Sequence, residues 1–239
     1  MAPITNYDLA DNSLNRVLPD GKLDFHDSHR LVNLDLAGGA MLDLGIYSLT
    51  WLMQILYHLQ SSEEKESPHV VSAMNKYDTG ADEMTSFILQ FAEHKSMGIG
   101  MTGFRVGSGV DYEFTGGPAI RIQGSLGEIQ VLGPAFKPSA YQIIMRDGGG
   151  QITTVQCPIP KDADRGNWGH GMYWEADECA RCIRDGKLES HIIPLDESIV
   201  VMEIMDAALQ QGEVRYPKHI TTDTYDCQSP LNTGTRSEN

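Results

Sequence analysis

Residues 36–54 read LAGGAMLDLGIYSLTWLMQ, and this stretch decides the fold. A double glycine, Gly38–Gly39, opens a long apolar run that is interrupted by one acid, Asp43, and one tyrosine, Tyr47. On an α-helix, residues four apart share a face. The run therefore predicts a core helix over about residues 40–59 that carries an acid and a phenol side by side. A carboxylate among leucines and methionines is costly unless it has a partner, and Tyr47 is the partner that helical spacing offers. Such a pair serves either as a satisfied polar contact in a core or as an acid–hydroxyl pair for catalysis.

Working outward, the polar run SSEEKESP closes the helix, and segments that alternate or carry β-branched and aromatic residues follow. Strands are expected at 69–77, 84–91, 96–104, 119–124, 128–133, 141–146 and 152–157. The Gly, Asp and Ser clusters between them supply turn chemistry. A helix is expected at 173–185, stopped by Gly186. Another follows Pro194, with Asp196 and Glu197 in its first turn and a buried stripe of Ile199, Val200, Ile204 and Leu209. Residues 13–35 read as a long loop. The expected architecture is α+β: a large, mostly antiparallel open sheet with helices packed on one face. Residues 1–217 form one domain, and 218–239 form a polar tail.

Four segments besides the opening one, SHRLVNLDLAGG (28–39), IRIQGSLGEIQVLGPAFKP (120–138), YWEADECARCIRDGKLES (173–190) and PLDESIVVMEIMDAALQQGEVRYP (194–217), carry a resemblance. Together with AGGAMLDLGIY they resemble the substrate-binding, C-terminal domain of the Gfo/Idh/MocA oxidoreductases. The likeness is greatest to the branch of dimeric dihydrodiol dehydrogenase and NADP-dependent xylose dehydrogenase, and it covers about residues 8–217. The resemblance implies that Asp43 and Tyr47 contribute to an active site and that the open sheet face forms a homodimer. It also implies what should precede: a nucleotide-binding Rossmann domain with a catalytic lysine in a Glu-Lys-Pro motif. No Glu-Lys-Pro occurs in the sequence, and the chain is expected to lack that domain and to use no cofactor.

Composition narrows the remaining classes. A net charge of −15 and a pI near 4.8 argue against a phosphate-backbone partner and against anionic membrane surfaces. Asp43 interrupts the best candidate for a membrane span. No basic, apolar leader opens the sequence, so a cytoplasmic location is the default expectation. Cys179 and Cys182 form a CxxC inside a predicted helix and lack a second pair, which excludes a zinc knuckle. No metal site is expected.

Gly98-Ile-Gly-Met-Thr-Gly103 matches the dinucleotide pattern G-x-G-x-x-G formally, but it lies within an alternating strand with no helix to follow. Gly98 and Gly100 are better read as space left on the sheet for a helix or a substrate. Trp168, His170 and Tyr173, set among glycines just before a helix, either anchor that helix or line a pocket. With Trp51 they complete the expected substrate-binding set.

The functional expectation is a stand-alone, cofactor-independent enzyme. In it, Tyr47 acts as a neutral hydrogen-bond donor oriented by Asp43, promoting isomerisation or cyclisation of a carbonyl-bearing metabolite, including a pericyclic closure. The alternatives are a non-catalytic dimerising or ligand-binding module and a fragment of an NADP-dependent dihydrodiol or sugar dehydrogenase.

Overall fold

The computed structural model describes residues 16–107, 117–165, 171–225 and 227–228, together with the backbone of 7–13. One sheet of eight strands runs through it in the order β2-β3-β4-β1-β5-β6-β7-β8. Its strands are β1 (Tyr7–Ser13), β2 (His69–Lys76), β3 (Asp82–Phe91), β4 (Ser96–Gly103), β5 (Ile120–Gly124), β6 (Gly127–Val131), β7 (Ala140–Met145) and β8 (Ile152–Gln156). Every neighbouring pair is antiparallel except β1 with β4. Strands β2 to β8 fall where alternation predicts them. The segment YDLADNS of β1, by contrast, joins the two antiparallel halves at the centre of the sheet.

The apolar run of 36–54 is helical, as expected, but not uniformly. Met41–Gly45 forms a π turn that passes into α1 (Ile46–Leu56). By length and hydropathy the stretch Leu34–Leu56 would suffice to cross a membrane, Asp43 notwithstanding, but about half of it is buried inside the fold. Leu49, Leu52 and Leu56 of α1 pack with Phe87, Leu89 and Phe91 of β3 and with Ile120 and Val131 of β5 and β6. Each such buried side chain contributes roughly 2 kcal/mol by removal from water.

Helix α3 (Leu195–Gln211) covers the same face through Ile204, Met205, Ala208 and Leu209. Ile199, expected in that stripe, lies 55% exposed, because the buried face of α3 is set by its C-terminal half. Helix α2 (Tyr173–Arg184) buries only Cys182 and then ends at Asp185 and the left-handed Gly186. Beyond Pro217, where the sequence reads as tail, Lys218–Thr221 form the short helix α4. There His219 hydrogen-bonds the Asp35 carbonyl at 3.1 Å.

The opposite face of the sheet has no helix on it among the described residues. Val71, Met101 and Ile152 stand there 46%, 39% and 54% exposed. Arg121 crosses it to Glu128, which also receives Gln130 and Gln123.

Candidate active site

The site is built from the turn that opens the core helix. Four backbone groups of that turn are held by residues outside it. The Gly38 N–H donates to the Asn33 carbonyl at 2.8 Å, and the Tyr216 hydroxyl donates to the Gly38 carbonyl at 2.9 Å. The Thr102 hydroxyl reaches the Ala40 carbonyl at 3.4 Å. The Met41 N–H donates to Asp82 Oδ2 at 2.8 Å, and one turn into α1 the Ser48 hydroxyl donates to the Met101 carbonyl at 2.9 Å.

The glycines are dictated by these contacts. A Cβ on Gly38 would stand 2.6 Å from the Asn33 nitrogen. A Cβ on Gly39, whose φ is +146°, would stand 2.2 Å from Asp82 Oδ1. Asp82 is fully buried, and burial raises its carboxyl above the usual range, although the bonds from Thr85 and Met41 pull the other way. Burial, with the Asp82 charge beside it, pushes the Tyr216 phenol up as well, which keeps it a neutral donor. Spacing did not point to Asp82 or Tyr216. Asp82 reads as one more turn residue in DTGADE, and Tyr216 lies far along the chain.

Asp43 and Tyr47 both reach the outer surface of this helix, but they do not form the expected hydrogen bond to each other. Asp43 Oδ1 instead receives Arg30 Nη1 at 2.5 Å. Arg30 is delivered by the loop that precedes the double glycine, and its side chain is 67% exposed against 28% for Asp43. The π turn changes the number of residues per turn between positions 43 and 47, so the four-residue rule of a regular helix fails there. Tyr47 is 45% exposed, and its hydroxyl has no hydrogen-bond partner among the described residues. Trp51, one turn on, points its indole N–H at the Ala135 carbonyl, 2.9 Å away. The exposed edge therefore presents an Arg–Asp ion pair and an uncommitted phenol. Beside α1, a cleft of about 210 Å³ lies between Ile46, Thr50 and Gln54 on one side and Val201 and Met202 of α3 on the other.

The remaining expected site residues separate. The space above Gly98 is filled by Leu52 and Leu56, and that above Gly100 by the Phe87 ring. These glycines admit the core helix and its packing partners and leave no room for a substrate, which corrects their assignment as substrate-binding. Tyr173 donates to the Pro160 carbonyl at 3.4 Å and lies 4.9 Å beneath the Arg165 guanidinium, which pairs with Asp177. These described contacts tie α2 to the segment before it and not to α1. Trp168 and His170 lie outside the described residues.

Neither glycine motif fits a dinucleotide. Gly98–Gly103 lies inside β4 with no helix on it. The Gly38–Gly39 turn does open a helix, but its Met41 N–H is taken by a carboxylate that would repel a pyrophosphate. Among the described residues, no group of three or more His, Cys, Asp or Glu side chains converges to hold a metal.

Comparison with known proteins supplies what geometry does not. No family model matches the chain. Over 227 residues it is 57% identical to the D-xylose 1-dehydrogenase (NADP(+)) of Hypocrea jecorina, across 95% of this chain and 57% of that enzyme. It is 28% identical over 191 residues to the trans-1,2-dihydrobenzene-1,2-diol dehydrogenase of Homo sapiens, across 79% of this chain and 51% of the relative. The chain thus spans about half the length of the curated relatives it matches.

Among solved structures, a protein of Desulfitobacterium hafniense described as an NADPH-dependent oxidoreductase superposes with a TM-score of 0.60 at 13% identity, covering 88% of this chain and 55% of its own. The UDP-N-acetylglucosamine 3-dehydrogenase of Acidithiobacillus ferrooxidans gives 0.54 at 14%, covering 89% and 54%. These two show a shared α+β fold. The relatives by sequence overturn the expectation of a cofactor-independent isomerase or cyclase. A chain matched along 95% of its length by an NADP-dependent dehydrogenase is similar to an oxidoreductase, as the dehydrogenase alternative has it.

Proposed function

We propose that this chain supplies the substrate-side domain, residues 1–217, of an NADP-dependent dehydrogenase acting on a polyhydroxylated small molecule, an aldose or a vicinal diol. Nucleotide binding then belongs to the part of the relatives that this chain does not match. The observation that carries the reading is the 57% identity over 227 residues to a D-xylose 1-dehydrogenase. The site supports it chemically. Oxidation of a carbinol requires a group that holds the hydroxyl whose proton is lost, and Tyr47 presents a free phenol at the exposed edge. Arg30 fixes Asp43 beside it as an ionic acceptor suited to a neighbouring substrate hydroxyl. No step is assigned to the nucleotide, because neither glycine motif fits it.

The test joins this chain to the unmatched remainder of the Hypocrea jecorina enzyme and follows NADPH formation with D-xylose, other aldoses and trans-diols. Turnover of at least one of them is expected, with a loss of roughly a hundredfold in Tyr47→Phe. A folded chimera that binds NADP(+) but oxidises none of them would overturn the reading.

The same proposal seats a second copy of the chain on the open face of the sheet, where Val71, Met101 and Ile152 are exposed. An intimate homodimer buries about 2,000 Å² or more. Light scattering that returns the 26.4 kDa monomer mass at micromolar concentration would exclude it.

A further inference from the structure

Asp82 is the one buried side chain of the described residues with an oxygen that has no hydrogen-bond partner. It stands at the start of β3, fully buried, with Oδ2 accepting from the Met41 N–H at 2.8 Å and from the Thr85 hydroxyl at 2.7 Å. Oδ1 lies against Gly39 with no donor to meet it. If this group served only to satisfy Met41, a neutral acceptor would do so without a stranded charge. What a carboxylate adds is a full negative charge at the positive end of a helix, and hence a stiffer hold on its first residue.

That hold falls where the helix is least regular. Met41 is the first residue of the π turn, and Asp43 lies at its centre. A π turn is an uncommon geometry that has to be imposed from outside. Here it is fixed at its start by Asp82 and at its end by Gly45, whose Cβ would stand 3.3 Å from Thr102 Cγ2 and 2.9 Å from Met41 Sδ. Between those clamps the chain turns Asp43 toward Arg30, and two residues past the second clamp Tyr47 stands in α1 with its hydroxyl free. We infer that Asp82 is the positioning residue of the site: through Met41 and the glycine packed against it, it sets the π turn that aims Asp43 and Tyr47.

The inference rests on the dehydrogenase reading for its kinetic arm only. A spectroscopic arm on the chain as it stands tests positioning by itself, so the two can fail separately. Protein labelled at tyrosine Cζ gives one carbon resonance per tyrosine, and Tyr47→Phe identifies the signal of Tyr47. Asp82→Asn preserves shape and can still accept from Met41, but removes the charge. It is expected to displace or broaden the Tyr47 resonance. In the chimera it should lower kcat about tenfold, equivalent to about 1.4 kcal/mol, with KM within about twofold.

Thr85→Val, which takes away one donor to Asp82, should move the same resonance in the same direction by less. If both variants lower the melting temperature while the Tyr47 resonance stays in place, Asp82 is structural only and the inference falls. If Asp82→Asn does not fold, an unmoved resonance in Thr85→Val overturns the inference equally.

Discussion

Replacing Gly39 by alanine tests how tightly the site's opening turn is fitted. The new Cβ would lie 2.2 Å from Asp82 Oδ1 and 3.2 Å from the Tyr216 hydroxyl, at a φ of +146° that side chains avoid. Holding alanine in that region costs about 1–3 kcal/mol. The carboxylate must also withdraw, and it cannot do so while keeping both the Met41 N–H and the Thr85 hydroxyl. Losing one bond to a charged acceptor costs a further 1.5–3 kcal/mol or so. The sum, about 2.5–6 kcal/mol, is a large part of the stability of an ordinary domain.

Urea denaturation followed by circular dichroism measures it. A double-mutant cycle then assigns the clash: in an Asp82→Ala background the same glycine substitution should cost at least about 1.5 kcal/mol less, because the atom it strikes is gone. If Gly39→Ala costs under about 1 kcal/mol, or costs the same with and without Asp82, then close approach of the carboxylate is not what requires glycine at this position.

Two further outcomes follow from the same interior. Gly100→Ala would place a Cβ 2.1 Å from the ring of the buried Phe87, whereas Gly98→Ala would meet only the movable ends of Leu56 and Leu52 at 2.9 and 3.0 Å. The first should cost about 3 kcal/mol and the second about 1, and equal losses in thermal unfolding would refute this packing. Because burial raises the Asp82 carboxyl in the folded state, the native protein keeps this proton at pH values where the unfolded chain has released it. As pH falls from neutral toward the ordinary carboxylate range, the wild type should therefore gain stability relative to Asp82→Asn. Parallel pH–stability curves for the two proteins would show that Asp82 titrates alike in both states.

Seven of the strands could be read because their own residues, alternating or β-branched and aromatic and bounded by turn residues, carry the signal. Strand β1 could not. Its YDLADNS holds two acids and an asparagine, and it is extended because β4 and β5 flank it on both sides. The helix of 36–54 was legible from its leucines, but the partner of Asp43 was not. The four-residue rule pointed to Tyr47, whereas a π turn and a loop arginine decided otherwise. Asp82 was hidden for the opposite reason, since an acid in a turn-like DTGADE reads as solvated until the fold closes over it. The functional expectation erred in taking the lack of a Glu-Lys-Pro motif as a sign of non-redox chemistry. A motif missing from a chain that spans about half of its relatives says nothing about the reaction.

The central place of β1 bears on how the molecule is made. Leu9 is in register with Ile99 on one side and with Arg121 on the other. The meanders β2–β4 and β5–β8 are each wired between consecutive segments and close quickly, whereas β1 meets its first neighbour, β4, only after β2 and β3 have formed, and its second, β5, later still. Until β1 docks, the sheet keeps a vacant slot with an unpaired edge on either side, β4 and β5. An extended peptide from another chain could fill that slot as well as β1 does. The step that completes this sheet is thus also the step at which strand exchange and aggregation compete with folding.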